Sequence, residues 1–235
     1  MPLLEVRDVT RRFGSLVALN GVSFGVDEGK LFGIAGPNGA GKSVLFGVIS
    51  GAYRPSSGSV VFDGHDIVGL GPHEACHRGL VRTFQTPTTF HSLTVRQNLA
   101  VGRAFGAGRR QDVEDVVELL DLGDVADRPA TNLDLFTTKK VVLGAALATE
   151  CKLLMLDEPM AGFSHLEIEA FLEIVRRINR ERGITVVIIE HLLDILIGIT
   201  DRMMILHYGE VLFSGDPAEV KRNEKVVEVY LGGAV

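Results

Sequence analysis

The sequence predicts an α/β fold in which an α/β core carries an antiparallel β arm and is interrupted by an inserted α-helical subdomain. Short apolar segments separated by turns dominate the first seventy residues, helix-prone sequence fills 88–149, and apolar strands alternate with an amphipathic helix after residue 150. We therefore expect a single domain spanning 1–235, with a core and arm formed by 1–87 and 150–235 and a helical subdomain at 88–149.

In the N-terminal region, the spacing of apolar residues predicts strands. Apolar side chains alternate with small or polar ones at 22–26, as in a half-buried strand. Asp63-Gly64 stands between Val60–Phe62 and Ile67–Val68 and predicts a two-residue hairpin turn, because both turn positions favour positive φ. The short apolar run Leu31–Ala35 leads directly into a glycine-rich loop.

The remaining elements follow from periodicity and capping residues. Asp112 is placed to cap a helix whose apolar residues fall on one face. Gly183 ends a second amphipathic helix, which lies between two apolar strands and so predicts a right-handed crossover. A buried strand is predicted at Leu153–Leu156, followed by that helix at 168–178 and a second buried strand at Ile184–Ile189. A hairpin turn at Tyr208-Gly209 and a last helix that starts at Asp216-Pro217 follow.

Composition excludes several functional classes. Twenty-four basic and thirty acidic residues give a formal net charge of −6, which argues against nucleic acid as a partner because phosphate-backbone binding needs a surplus of cations. Two cysteines are too few for a disulfide framework and indicate reduced thiols. No secretory signal is visible, and the most apolar region, Ile184–Thr200, is interrupted by charged residues. We expect a soluble, cytoplasmic protein.

The strongest functional motif is GPNGAGKS, which fits Gly-x-x-x-x-Gly-Lys-Ser/Thr between a predicted strand and a predicted helix. Its glycines allow backbone amides to surround phosphate oxygens, and the helix N-terminus adds partial positive charge. Lys42 would reach the β- and γ-phosphates, and the Ser43 hydroxyl would bind Mg²⁺. The predicted nucleotide-binding residues are Gly36, Pro37, Asn38, Gly39, Ala40, Gly41, Lys42, Ser43 and Val44.

A second motif, LLMLDEP, ends a buried strand in two acids. Buried carboxylates are costly unless they meet a cation or water, and strand ends of this kind border the nucleotide crevice. Strand-end acids also cap helices, but behind a phosphate-binding loop they indicate catalysis. Asp157 would hold Mg²⁺ directly or through water, and Glu158 would act as general base toward the attacking water.

Other polar residues are ambiguous by themselves. His191 follows the apolar strand Ile184–Ile189, where a lone histidine is most often structural, and Gln85 in RTFQ has no diagnostic value alone. His73, Cys76 and His77 lie together, but no second ligand pair at metal-like spacing accompanies them, so we interpret them as surface or subdomain residues.

In combination, GPNGAGKS, RTFQ, LLMLDEP and IIEH resemble the ATPase subunit of ABC transporters over nearly the whole chain. The resemblance implies a RecA-like P-loop NTPase core that uses ATP and Mg²⁺. The segments RGLVRTFQ and SLTVRQNLAVG and the C-terminal tail are similar to those of importers for branched-chain amino acids and related hydrophobic or amide substrates. The implied location is cytoplasmic, on the inner face of the cell membrane.

The resemblance also implies roles for individual residues. Gln85 would sense Mg²⁺ and water while contacting the permease, and His191 would be the switch histidine. Phe13 matches the aromatic that stacks on adenine, although a core or arm role for it is equally open. Residues 162–165 would form a loop that faces a dimer partner. The implied partners are a second ABC ATPase subunit, as homodimer or heterodimer, membrane permease subunits and, indirectly, an extracytoplasmic solute-binding protein.

One segment departs from the family pattern. Where the family carries a signature close to Leu-Ser-Gly-Gly-Gln, this chain has LDLFT at 133–137, which we call the signature segment. Asp134 replaces the serine, and Leu135 and Phe136 replace the glycines. The negative charge of the aspartate would repel a phosphate. Aspartate is also a good helix N-cap, and the two interpretations are compatible if its carboxylate occupies the anion site at the helix N-terminus. The hypothesis that follows is an asymmetric heterodimer.

Two alternatives stay open from the sequence. One is a nucleotide-binding regulatory subunit with little hydrolysis, which the signature segment favours and the intact Asp157, Glu158 and His191 oppose. The other is a soluble ABC protein of repair or translation, which the acidic single cassette opposes. A GTPase is disfavoured because no Asn-Lys-x-Asp motif is visible.

Overall fold

A computed structural model describes residues 2–106 and 112–231. The chain forms two compact units: the first combines the residues up to Pro72 with those from Thr185 onward, and the second spans His73–Ile184. The division at 88 and 149 that the sequence suggests for core and helical subdomain stays a prediction.

Strands dominate the first seventy residues, and helices alternate with strands or with each other later in the chain. The strands are β1 Pro2–Phe13, β2 Leu16–Asp27, β3 Leu31–Ala35, β4 Ser57–Phe62, β5 His65–Asp66, β6 Leu80–Arg82, β7 Leu153–Asp157, β8 Thr185–Ile189, β9 Arg202–His207 and β10 Glu210–Gly215. The helices are α1 Lys42–Ile49, α2 Pro72–His77, α3 Val95–Ala104, α4 Val113–Leu119, α5 Leu135–Leu147, α6 His165–Arg182, α7 Leu193–Ile199, α8 Pro217–Val220 and α9 Glu224–Leu231.

The first unit contains the antiparallel arm, with strand order β2-β1-β4-β5. Asp63 and Gly64 form the predicted turn, with φ of 50° and 75°. The strand after the turn is His65–Asp66, so its placement at Ile67–Val68 was wrong. A two-residue turn pairs the residues that flank it, here Phe62 with His65. The ladder ends soon afterwards because the amide of Val68 donates to the Asp66 carboxylate at 2.9 Å.

The first unit also contains four strands in the order β10-β9-β3-β8, in which β3 is parallel to both β8 and β9. Every residue of β3 and β8 is buried, which explains why both strands are unbroken apolar runs in the sequence. Tyr208 and Gly209 form the predicted hairpin between β9 and β10 with positive φ. Since Ile34 is in register with Ile189, β3 and β8 end at the same edge of the sheet.

The second unit pairs β6 with β7 in parallel and carries α2 to α6. Helix α6 begins at a capping box formed by Ser164 and Glu167 and ends at Gly183, where φ is 65°. Asp112 caps α4, as predicted. Gly102 lets helices α3 and α5 approach closely, since a Cβ at this position would collide with the backbone carbonyl of Ala145.

The C-terminal region differs from the sequence expectation in one respect. Asp216 caps α8 and Pro217 is its first residue, as predicted, but α8 is four residues long and is not the last helix. A further helix, α9, follows it, and its burial in the first unit depends on contacts that local sequence does not reveal. Within the described residues, none of the helices combines the length and apolarity needed to cross a bilayer.

Candidate active site

The glycine-rich loop between β3 and α1 has backbone geometry that only glycine satisfies. Gly36 and Gly41 have φ of 153° and 103°. A Cβ at Gly36 would meet the carbonyl oxygen of Leu206, and one at Gly41 would lie 2.6 Å from the carbonyl oxygen of Ala18. The motif therefore encodes a loop that passes against the backbone of neighbouring strands, and we call residues 36–43 the P-loop.

The P-loop leads into a helix N-terminus that carries no side-chain cap. Gly41 is the N-cap of α1 and offers no side chain to the first amides of the helix. Ser43, in the first turn, is exposed, as are Asn38 and Gly39 on the loop itself. Uncapped amides and the positive end of the helix dipole make this a suitable place for an anion such as phosphate.

The Lys42 side chain folds over the P-loop. Its residue is only 6% exposed, and its Nζ donates to the carbonyl oxygens of Gly36 at 2.7 Å and Pro37 at 3.1 Å. The ammonium is thus held at the loop by backbone acceptors, with the charge close to the amides of α1.

The structure places His191 at the same sheet edge as the P-loop. His191 lies two residues beyond Ile189, and Gly36 lies two residues beyond Ile34, the residue paired with Ile189. Its side chain is 51% exposed, and Nδ1 lies 3.7 Å from Oε2 of the buried Glu190. His191 therefore follows β8 at the sheet edge from which the P-loop emerges.

Phe13, at the end of β1, presents its ring partly to solvent. The residue is 39% exposed, and Tyr53 packs edge-on against it with ring centroids 5.6 Å apart. The Arg11 guanidinium lies 4.3 Å from the ring centroid and covers one face. Sequence analysis missed Arg11, since a strand pattern alone does not show which side chains share a face with a ring across a bulge.

In the second unit, the acid pair Asp157 and Glu158 follows β7 and meets the segment after β6. Gln85 Nε2 donates to Glu158 Oε2 at 2.8 Å, so the structure brings together two residues that the sequence predicts as catalytic. Arg82 Nη2 lies 2.8 Å from Asp157 Oδ2, and both side chains are largely buried. Sequence analysis missed Arg82; the signal was available, because a buried carboxylate requires a cation.

Two family models match the chain. The family model described as ABC transporter matches residues 19–161. The chain belongs to the ABC transporter family. A second family model, described as branched-chain amino acid ATP-binding cassette transporter, matches residues 210–235 of the cassette.

Among curated proteins, the cassette is 32% identical to the high-affinity branched-chain amino acid transport ATP-binding protein BraF of Pseudomonas aeruginosa, over 99% of both chains. It is 35% identical to the probable branched-chain amino acid transport ATP-binding protein LivG of Archaeoglobus fulgidus, over 99% of this chain and 96% of that one. Among solved structures, an ATP-binding cassette of an ABC transporter in its ADP conformation superposes with a TM-score of 0.90 at 33% identity, covering 99% of each chain. The fold is that of an ABC ATPase with a P-loop NTPase core.

In the signature segment, residues 133–137, the first amides of α5 are satisfied by a side chain of the segment itself. Asp134 is the N-cap of α5, as the sequence predicts. Its Oδ1 accepts from the Thr137 amide at 2.7 Å, and its Oδ2 accepts from the Thr137 hydroxyl at 2.8 Å. The bond from the Thr137 amide is the main cause that lowers the pKa of Asp134, so the carboxylate is ionised near neutral pH.

Leu135 and Phe136 pack against the loop that follows the acid pair. The rings of Phe136 and Phe163 have centroids 5.2 Å apart, and a Cβ added to Gly162 would lie 2.9 Å from a methyl carbon of Leu135. Leu135 and Phe136 thus make apolar contacts within their own chain, which the sequence did not predict.

Lys139, one turn into α5, holds the same loop. It is 7% exposed, and its Nζ donates to the carbonyl oxygens of Pro159 at 2.7 Å and Ala161 at 2.8 Å. The ammonium also lies 4.9 Å from the Phe163 ring centroid. This buried lysine links α5 to the backbone directly after Glu158, and nothing in its sequence context distinguishes it from a surface lysine.

Helix α9 brings Tyr230 to the P-loop. Burial raises the pKa of Tyr230 to about 12. The nearby backbone of Gly36 has a smaller, lowering effect on this pKa. Among the described residues, the buried hydroxyl has no hydrogen-bond partner. The contact is therefore one of shape, from the part of the chain that the second family model covers.

The histidines of α2 form a local pair. His73 Nε2 and His77 Nε2 lie 3.2 Å apart on an exposed surface, and partial burial raises the pKa of Cys76 between them. Across residues 2–106 and 112–231, no three His, Cys, Asp or Glu side chains form a group suited to a metal ion.

Proposed function

We propose that this ABC ATPase powers a membrane importer for branched-chain amino acids or related small solutes. The observation that carries the nucleotide chemistry is the P-loop, which holds Lys42 against its own carbonyls and leaves the N-terminus of α1 without a side-chain cap. The solute class follows from the named relatives and the C-terminal family match. The partners are membrane permeases, reached through the Gln85 region on the inner face of the membrane, with a solute-binding protein acting indirectly.

Nucleotide binding rests on residues 36–44, in which the backbone amides and Lys42 receive the β- and γ-phosphates. The partly exposed ring of Phe13 would receive adenine by stacking. Because the arm strand β1 carries Phe13 while the P-loop follows β3, base and phosphates would be held by different sheets of the same unit.

The donor set suits Mg²⁺, a hard cation that prefers oxygen ligands. Ser43 offers an exposed hydroxyl, Asp157 a carboxylate, and Gln85 an amide oxygen, since its amide nitrogen already donates to Glu158. We infer from the family resemblance that these three residues would hold the cation, which would neutralise charge on the phosphates.

Glu158 is placed to polarise the attacking water. Its Oε2 accepts from Gln85, which fixes the carboxylate, and its φ of 45° holds the backbone in a conformation uncommon for glutamate. His191 is placed at the P-loop edge, where its partly exposed ring would contact the γ-phosphate. The chemistry is positioning and electrostatics, with no covalent intermediate.

We also propose that the cassette works beside a different cassette with an intact signature. In a dimer of such subunits each P-loop faces the partner's signature. Here Asp134 fills the N-terminus of α5 with its own carboxylate, so a nucleotide facing the signature segment would meet like charge. The heterodimer then has one fast site, formed by this chain's P-loop and the partner's signature.

The alternative is a regulatory subunit that binds ATP with little hydrolysis, which the capped signature segment favours. One substitution separates the two. In the transporter co-purified with its permeases and second cassette, Glu158→Gln should lower solute-stimulated ATPase activity and uptake by at least about 100-fold if this chain supplies the catalytic base.

Glu181→Gln, on an exposed part of α6, is the matched control and should leave both rates unchanged. Retention of uptake by a folded Glu158→Gln transporter would support the regulatory reading. The isolated chain should bind Mg-ATP and hydrolyse little, because a homodimer has two capped signatures; brisk hydrolysis by the isolated chain would refute the heterodimer.

A further inference from the structure

A buried ion pair joins Arg82 to Asp157, within the second unit. Arg82 Nη2 lies 2.8 Å from Asp157 Oδ2, and the two side chains are 12% and 7% exposed. A guanidinium keeps its charge at every physiological pH, so the pair is a fixed charge contact. Asp157 is thereby neutralised by a cation of its own chain.

Strand register explains how the fold builds this pair. Strands β6 and β7 are parallel, with Arg82 opposite Met155, and the Thr83 amide donates to the Met155 carbonyl at 2.9 Å. Asp157 lies two residues beyond Met155 on the same face of its strand, within reach of a long arginine side chain. Three residues after Arg82, the Gln85 side chain donates a hydrogen bond to Glu158, so the segment 82–85 supplies one partner to each acid.

We propose that Arg82 is a positioning residue that keeps a divalent cation off Asp157 until nucleotide is bound. This inference rests on the proposed role of Asp157 as a metal ligand. Arg82 occupies Oδ2, and among the described residues no hydrogen bond or ion pair involves Oδ1. The side chain is therefore oriented with one oxygen available, while its net attraction for a bare cation is largely cancelled.

The balance changes when the cation arrives with nucleotide. Mg²⁺ is usually bound through one or two carboxylates together with substrate phosphates, rather than by carboxylates alone. The phosphates bring negative charge that outweighs the guanidinium, so one oxygen of Asp157 suffices. Without nucleotide, the buried charge of Arg82 would repel a cation near Asp157 strongly, because solvent screens the interaction poorly.

The test is Mn²⁺ binding to the purified chain without nucleotide, followed by electron paramagnetic resonance. Arg82→Gln removes the charge and should tighten the Mn²⁺ dissociation constant at least about tenfold relative to wild type. In the presence of ADP the two proteins should differ by less than about threefold, since the phosphates then dominate. The control is Arg78→Gln, at an exposed arginine that precedes β6 in the chain, and it should match wild type in both conditions.

Three further variants separate positioning from general destabilisation. Arg82→Lys keeps the charge and should restore the weak Mn²⁺ binding of wild type. The double variant Arg82→Gln with Asp157→Asn should lose the affinity that Arg82→Gln gains. Equal nucleotide-free Mn²⁺ affinity in wild type and Arg82→Gln, or a gain that persists in the double variant, would overturn the proposal. Asp157→Asn alone tests the underlying role: if it leaves Mn²⁺-ADP binding intact, Asp157 is not a metal ligand and the proposed function fails at that residue, whatever Arg82 does.

A measurement on the wild-type chain covers the case in which Arg82→Gln does not fold. With ¹⁵N-labelled arginine, the Arg82 Nε signal, identified by its absence from Arg82→Lys, should stay in place when Mg²⁺ alone is added and shift when Mg²⁺ is added with ADP. A shift with Mg²⁺ alone, or no shift with both, contradicts the proposal.

Discussion

The P-loop and the signature segment both lead into a helix N-terminus, but they treat its amides in opposite ways. At α1 the N-cap is Gly41, which has no side chain to offer. At α5 the N-cap is Asp134, whose carboxylate accepts from the amide and the hydroxyl of Thr137. The same local element is open to an external anion in one region and already satisfied in the other.

The contrast extends to the residues around each N-terminus. Glycines in the P-loop let backbone pass against backbone, as at Gly36 beside Leu206. In the signature segment, the first two residues of α5 are large: Leu135 packs against Gly162, and Phe136 packs against Phe163. The N-terminus of α1 is thus preceded by a glycine-lined loop, and that of α5 carries packed side chains from its own segment.

The largest effect is expected at the open site. Lys42→Ala removes the ammonium that Gly36 and Pro37 hold at the P-loop, and should lower ATP turnover of the assembled transporter at least about 100-fold, the usual cost of one electrostatic contact to a developing charge. Steady-state phosphate release measures it, with Lys225→Ala, at an exposed position of α9, as control. Turnover within threefold of wild type would show that the open N-terminus alone binds the phosphates.

The next effect comes from opening the closed site. Asp134→Ser combined with Leu135→Gly and Phe136→Gly should raise ATP hydrolysis by the isolated chain at least about tenfold, because the N-terminus of α5 regains a hydroxyl and accessible amides. Asp134→Asn alone keeps a cap and both large side chains, so it should change the rate little. A folded triple variant, checked by circular dichroism, with unchanged hydrolysis would mean that the signature segment is not what limits the homodimer.

A smaller effect concerns stability and its dependence on pH. Asp134→Ala removes an N-cap and should lower the free energy of unfolding by about 1 kcal/mol at pH 7. Because the fold lowers the pKa of Asp134 below its usual value of about 3.9, this contribution is fully present above that pH and is lost as pH falls through the folded-state pKa. Urea unfolding at pH 7 and pH 3 measures the change.

Asp134→Asn serves as the control for that experiment, because an amide cap does not titrate and its stability relative to Asp134→Ala should be nearly constant with pH. If wild type and Asp134→Ala differ as much at pH 3 as at pH 7, the carboxylate is not the group that stabilises α5.

Sequence predicted those parts of the cassette whose structure is determined locally. The buried runs at β3 and β8, the cap at Asp134 and the turn at Asp63-Gly64 depend on residues close in the chain, and each lies where expected. The strand after that turn was misplaced, because the end of a ladder depends on one side-chain bond, from the Val68 amide to Asp66.

Within the candidate site, the sequence predicts residues for the nucleotide chemistry but does not predict which other side chains contact them. Arg82 and Lys139 each bind a partner that is distant in the chain, whereas Arg11 covers the ring of Phe13 on its own strand. Only the fold reveals that Arg82 and Lys139 are buried charges, because their partners, a carboxylate and two carbonyls, come from segments seventy-five and about twenty residues away.

The smallest effect is expected where the P-loop is held by shape rather than by hydrogen bonds. Tyr230→Phe removes a hydroxyl that is buried without a partner among the described residues, so the free energy of unfolding should change by less than about 0.5 kcal/mol. Tyr230→Ala removes the ring beside Gly36 and should cost about 2 kcal/mol or more. Urea unfolding of wild type and the two variants measures both changes in the free energy of unfolding. A clear loss of stability in Tyr230→Phe would mean that the hydroxyl bonds to the Gly36 backbone, and that the open anion site is fixed by a polar contact from α9, as the closed one is fixed by Asp134.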